Sequence, residues 1–174
     1  MTAKPVVVDT NVLLVANRRH EAVSKECIAN CSSRLDAIMR HGQISIDTSR
    51  QIMNEYQNKT SPHQPKGAGD VFLKWLLRNQ SNTTRVRQVD IGENEDGTFA
   101  AILPVHQFAE LKADRKFIAV ALADEKRPAI LQAADTKWIE HTEALHKRGV
   151  TVEFLCEQDI EKLKRSNRGR KKAK

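Results

Sequence analysis

No stretch of this sequence approaches the roughly 18 consecutive apolar residues that a membrane span requires, and its start lacks the charged-then-apolar pattern of a secretory signal. Cysteine is scarce. Cys27, Cys31 and Cys156 are too few for a disulfide framework, and there is no CxxC pair and no His/Cys zinc spacing. Cys27 and Cys31, one helical turn apart, read as packing residues. A cytoplasmic protein of a reducing compartment, with no membrane association, is the resulting expectation. There is no internal repeat. Acidic residues are missing where basic ones crowd: Lys162 to Lys174 holds eight basic residues and no acid.

That last absence divides the charge. The 174 residues carry 29 Lys and Arg against 22 Asp and Glu, a formal net of +7. With the tail removed, 21 basic face 22 acidic residues, a net of −1 for positions 1–161. Length and apolar content suit one globular domain over 1–161, and the segment 162–174 is expected to lack regular structure. Clustered Lys162, Lys164, Arg165, Arg168, Arg170, Lys171, Lys172 and Lys174 are suited to phosphate, where counterion release gives sequence-independent affinity. A solvated chain end is the bland alternative, and a targeting signal is a third.

Along the body, helical and strand patterns alternate. The run Val6–Val8 is an apolar strand of the kind buried on both faces of a parallel sheet. A helical segment covers about Glu21 to Arg40, and Ile44–Ile46 is a short strand. Asp47, Thr48 and Ser49 offer caps for a helix from about Thr48 to Gln57. Asn58–Gly69 is a loop rich in Pro and Gly, Val71–Asn79 an apolar helix, Val86–Ile91 a strand and Gly92–Gly97 a polar loop. A helix starts near Asp114 and stops at Pro128. Ala129–Ala133 is a strand, Thr136–Lys147 a helix and Thr151–Leu155 the last strand. The expected fold is α/β: a three-layer α/β/α sandwich on a mainly parallel sheet of about five strands.

Four carboxylates stand out by placement. Asp9 ends the first strand and Asp135 follows Ala129–Ala133, so both sit at carboxyl ends of strands, where open α/β sheets bind ligands. Helix capping explains each of them equally well. Asp114 heads the stripe Phe117, Ile118, Ala121 and Leu122, so it lies on an inward face, where an anion needs a cap, a dipole or a cation. Glu55 flanks the apolar stripe of its helix, or else pairs with Lys59 at the surface. Gathered carboxylates suit a hard divalent cation, because Mg²⁺ takes oxygen ligands and retains several waters. Hydrolysis of nucleic acid is the chemistry such a centre suggests. Trp75 and Trp138 read as core residues before stacking platforms, and His106 as a surface histidine before one that approaches the site.

These pieces resemble, in order and spacing, the PIN-domain nucleases. Val6-Val7-Val8-Asp9-Thr10-Asn11-Val12-Leu13 is similar to that family's opening, Glu55 to its second acid, Asp114 with Arg115–Leu122 to its third, and Ile130–Asp135 to the strand delivering the fourth. The resemblance covers about residues 5–155. It implies four acids holding Mg²⁺ or Mn²⁺ and metal-dependent cleavage of phosphodiester bonds, mostly in single-stranded RNA, without a covalent intermediate. Asp9, Asp114 and Asp135 would be ligands, and Glu55 a ligand or an orienter of the attacking water. Thr10, Asn11 and Thr136 would support them. Partners implied are RNA before DNA and, for toxin-type members, a neutralising antitoxin protein; a homodimer is a further expectation. Ala133 and Lys137 depart from the family pattern, which often has a hydroxyl residue before the fourth acid and another acid after it. Asn58–Arg85 is long for a minimal member. The rival functions are a non-catalytic RNA-binding module and, more distantly, a phosphatase of the haloacid-dehalogenase group using Asp9 as nucleophile. That chemistry wants a second Asp where this chain has Asn11.

Overall fold

The structure, a computed structural model, describes residues 4–20, 22–100 and 108–172, with side chains described through residue 165. Five strands form one sheet: β1 (Val6–Val8), β2 (Ile44–Asp47), β3 (Val86–Val89), β4 (Ala129–Gln132) and β5 (Val152–Phe154). Their order is β3-β2-β1-β4-β5, and every pairing is parallel. Seven helices cover it: α1 (Thr10–Ala16), α2 (Lys25–His41), α3 (Gln51–Lys59), α4 (Ala68–Asn79), α5 (Arg115–Ala123), α6 (Thr136–Lys147) and α7 (Glu157–Lys172). A 3-10 helix, Ala109–Asp114, leads into α5.

The sheet is built outward from β1, whose three valines are all buried, as is expected of a strand covered on both faces. Crossovers from β1 to β2 and from β2 to β3 run one way, and α1, α2 and α4 pack together on the face they cover. The chain then returns past β1 to β4, and α5 packs against β1, β2 and β4. Right-handed crossovers put that helix on the opposite face, completing the sandwich. The reversal of direction falls between β1 and β4, so their carboxyl ends flank the switch point.

Close approach explains one glycine on the α1–α4 contact. A Cβ on Gly69 would stand 2.3 Å from the Leu13 carbonyl oxygen, so only glycine lets α4 approach α1 this closely. Beside it Asp70 is buried and accepts hydrogen bonds from Asn17 Nδ2 (2.8 Å), Ser61 N (2.8 Å) and Lys66 N (3.0 Å). Burial alone would raise the Asp70 carboxyl, and those donors reverse the effect and hold it low. The loop between α3 and α4 is thereby fixed to α1.

Two expectations change. Cys27 does not act merely as a packing residue: it is bonded to Cys156 across 129 positions, tying the first turn of α2 to the end of β5. Cys31 is free and buried, in line with a packing role. The segment expected to lack regular structure is largely helical, since α7 continues to Lys172. Of its cations, Lys162, Lys164 and Arg165 have described side chains; Lys164 lies 3.5 Å from Glu161 at the surface. The side chains of Arg168, Arg170, Lys171 and Lys172, together with Lys174 and His106, lie outside the described residues. Among the described residues, no helix is long and apolar enough to cross a membrane.

Candidate active site

Parallel pairing of Val6 with Ala129 and Val8 with Leu131 places the residues after β1 and β4 side by side. Asp9 extends this pairing by one bond, its N–H donating to the Leu131 carbonyl at 3.0 Å. It is also the N-cap of α1, with Oδ1 accepting from Asn11 N at 2.8 Å. Capping therefore accounts for one oxygen only. Oδ2 is buried without a hydrogen-bond partner. Burial pushes the Asp9 carboxyl up to about 8, and the neighbouring charges of Asp114, Glu55 and Asp135 add to the rise.

The other three acids thus stand close enough for Asp9 to feel their charge. Asp114 is half-buried at the start of α5 and makes no capping hydrogen bond, so the bland explanation of its position does not hold. Burial raises its carboxyl; Lys116 opposes that, while Glu55 and Asp135 reinforce it. Asp135 caps α6 by accepting from Lys137 N at 2.9 Å. Glu55 stands on α3, one residue before Tyr56, whose buried hydroxyl donates to the Val8 carbonyl and fixes that helix over the end of β1.

Glu55 is fully engaged. Thr10 Oγ1 donates to its Oε1 at 2.5 Å, and Lys116 Nζ pairs with its Oε2. Thr10 therefore supports the second acid and not the first. Lys59, the surface partner that helical spacing suggests for Glu55, is displaced by Lys116 from across the site. Asn11 turns its side-chain oxygen toward the Ala134 N–H (3.4 Å), a main-chain support between the ends of β1 and β4. Thr136 is half-buried as the first residue of α6.

Lys116 is the residue that the sequence reading passed over. It lies two positions after Asp114, off the apolar stripe, yet its side chain is only 9% exposed. It also donates to the Ala113 carbonyl and sits 4.8 Å from the Phe117 ring centroid. An ammonium enclosed among acids is an internal counter-ion, and it meets part of the negative charge that four carboxylates would otherwise hold unshielded. Glu55 is bound to Lys116 and Thr10, and among the described residues no three of the four acids bring their ligand atoms together. Among the described residues, the one group of three candidate metal ligands with converging atoms is Cys27, Cys31 and Cys156.

The residues nevertheless suit a hard cation at Asp9. A buried carboxylate oxygen without a donor, at a sheet's switch point and within the field of Asp114, is of a chemistry that a hard cation would fit. No family model, curated protein or solved structure matches the chain, so what the site does rests on its own residues.

Proposed function

We propose that this chain is a PIN-like endoribonuclease that uses Mg²⁺ or Mn²⁺ to hydrolyse phosphodiester bonds, chiefly in single-stranded RNA. The unpartnered, buried Oδ2 of Asp9 carries the reading, because capping and sheet hydrogen bonds leave it unexplained. Asp9 and Asp114 would hold the ion, with Asp135 beside them. When bound, the ion supplies a Lewis acid for the phosphoryl group and a water of lowered pKa.

The chain's own residues do the rest. Asn11 N and the Leu131 carbonyl hold Asp9 in place, so its free oxygen is fixed before any ligand arrives. Thr10 and Lys116 hold Glu55 by one oxygen each, and its carboxylate would orient the attacking water through a remaining lone pair. The cations Lys162, Lys164 and Arg165 of α7, with those that follow, would raise the local concentration of a polyanion whose phosphates the acids themselves repel.

The decisive assay is cleavage of a labelled single-stranded RNA with Mn²⁺, for the parent and for Asp9→Asn and Asp114→Asn. Loss of at least about a hundredfold in rate is expected for each. If both variants cut like the parent, the assignment fails. A toxin role is tested separately, by asking whether a small neighbouring reading frame suppresses growth arrest on expression.

One observation favours a second reading, a non-catalytic RNA-binding module: Lys116 already neutralises part of the acid cluster. That module would bind RNA undiminished in chelator and cut at no concentration of metal. Lys116→Met bears on the choice. Removing an enclosed positive charge should tighten Mn²⁺ binding about tenfold, or about 1.4 kcal/mol, by calorimetric titration. Unchanged or weaker binding would show that the ion does not sit in the field of Lys116.

A further inference from the structure

The three cysteines, which the proposed RNA chemistry does not use, form a second centre at the far side of β4. Cys27 and Cys31 are one turn apart on α2, and Cys156 follows β5. All three are buried, and their sulfurs lie within 4.8 Å of one another. Cys31 Sγ stands 3.9 Å from Cys156 Sγ. A tetrahedral Zn²⁺ with Zn–S bonds near 2.3 Å has sulfurs about 3.8 Å apart, so that separation already suits two thiolates on one ion.

We infer that the reduced protein binds one thiophilic metal ion, of the Zn²⁺ class, through Cys27, Cys31 and Cys156, in place of the Cys27–Cys156 disulfide. A dithiol reductant supplies two electrons and two protons to that bond and itself becomes a cyclic disulfide, leaving thiols on Cys27 and Cys156. A side-chain rotation then separates the two sulfurs. Binding of the ion displaces up to three thiol protons to solvent. Soft thiolate ligands select such an ion over Mg²⁺, so the centre does not compete with the carboxylates.

Access and second-sphere support are both present. Cys27 and Cys156 lie on the wall of a surface cleft of about 520 Å³, and a three-ligand set leaves a fourth position of the ion to face it. The cleft's rim is fixed by Ser24, whose hydroxyl donates to Asp159 (2.6 Å) and accepts from Cys27 N (3.1 Å). Asn30 Nδ2 donates to the Leu155 carbonyl at 3.1 Å, closing the other side. The two halves of the centre are thus held together by bonds other than the disulfide. Thiol–disulfide exchange within the trio is the rival use of a third sulfur. Exchange needs no metal and gives no thiolate-to-metal band, whereas a bound ion deprotonates its thiols outright.

The test uses the full chain, the parent and Cys31→Ser, each with and without a non-chelating reductant. Co²⁺ is the probe, because thiolate-to-cobalt charge transfer in the near ultraviolet is absent from carboxylate sites. Reduced parent should take up one Co²⁺ per chain with that band, and Zn²⁺ should bleach it. Zn²⁺ should also raise the melting temperature of the reduced parent by about 5–10 °C. Reduced Cys31→Ser should lose most of the band and at least tenfold in Zn²⁺ affinity, while oxidised Cys31→Ser melts like the oxidised parent. No charge-transfer band in the reduced parent overturns the inference, as does an equal band in Cys31→Ser. Because the readout is sulfur-specific, its failure leaves the nuclease reading intact, and the reverse holds too.

Discussion

In chelator, Asp9→Asn should make the protein more stable than the parent at high pH, while abolishing metal-dependent cleavage. The parent's Asp9 has an ordinary value of 3.8 when unfolded and about 8 when folded. Between those values the folded state retains a proton that the unfolded chain has released. Stability therefore falls as pH rises from about 4 to about 8, and the contribution is lost once the folded carboxyl ionises. Full ionisation costs as much as about 6 kcal/mol, at 1.36 kcal/mol per unit. Asn cannot ionise, so its curve should stay flat over the same window, apart from what Asp114 contributes in the same direction. Asn also preserves the Oδ1 that caps α1. Urea unfolding at about pH 5 and about pH 9 reads this directly: the two proteins should converge at the lower pH and separate at the higher. A divalent ion then restores the parent, because it binds the deprotonated carboxylate, and does little for the variant. A parent that holds its stability up to about pH 9 without metal would mean Asp9 has a donor after all.

How much of this was legible in the sequence depended on the length of the signal. The unbroken Val6–Val8 run gave away the central strand, and the alternation of elements gave the parallel sheet. Helix α1 did not declare itself, because seven residues are only two turns and continue an apolar run begun in the strand. The criterion of acids at strand ends was less selective than it looked. Asp47 ends β2 as Asp9 ends β1, yet both its oxygens are satisfied, by Ile52 N (2.9 Å), Gln51 N (2.6 Å) and Ser49 Oγ (2.8 Å). Asp124, also buried, accepts from Ser45 and from both Arg87 Nε and Nη2. What separates Asp9 from these structural acids is a missing partner; those of Asp47 are local, but those of Asp124 lie 37 and 79 positions away and are not written in local sequence. Lys116 was hidden for another reason. Stripe arithmetic assumes one solvent face, but α5 lies under the site with Arg115 through Ala121 all buried, so no position on those turns was free to be a surface lysine.

Breaking the Cys27–Cys156 bond should be the largest purely structural perturbation available. The bond closes a loop of 129 positions, for which chain entropy alone allows about 5 kcal/mol at 25 °C. Against a total stability of about 5–15 kcal/mol, this would remove a third or more. For a chain of this size it corresponds to a fall in melting temperature of roughly 10–20 °C. The native contacts argue for somewhat less than the ceiling. Ser24 with Asp159, Asn30 with Leu155 and Arg34 with Glu153 join the same two segments, so the folded state keeps its geometry when the bond opens. The loss acts on the unfolded chain, which gains freedom, and it should appear as a lower midpoint in urea with a somewhat steeper slope. Cys156→Ser in oxidant should reproduce the reduced parent, and Cys31→Ser should not. A reduced parent that melts with the oxidised one would mean that the bond constrains nothing the contacts around α2 and α7 do not already hold. Asp9 lies two strands from β5 and Asp135 one, and among the described residues no hydrogen bond or ion pair joins the acids to the cysteines, so RNA cleavage below the new midpoint should be unaffected by reduction.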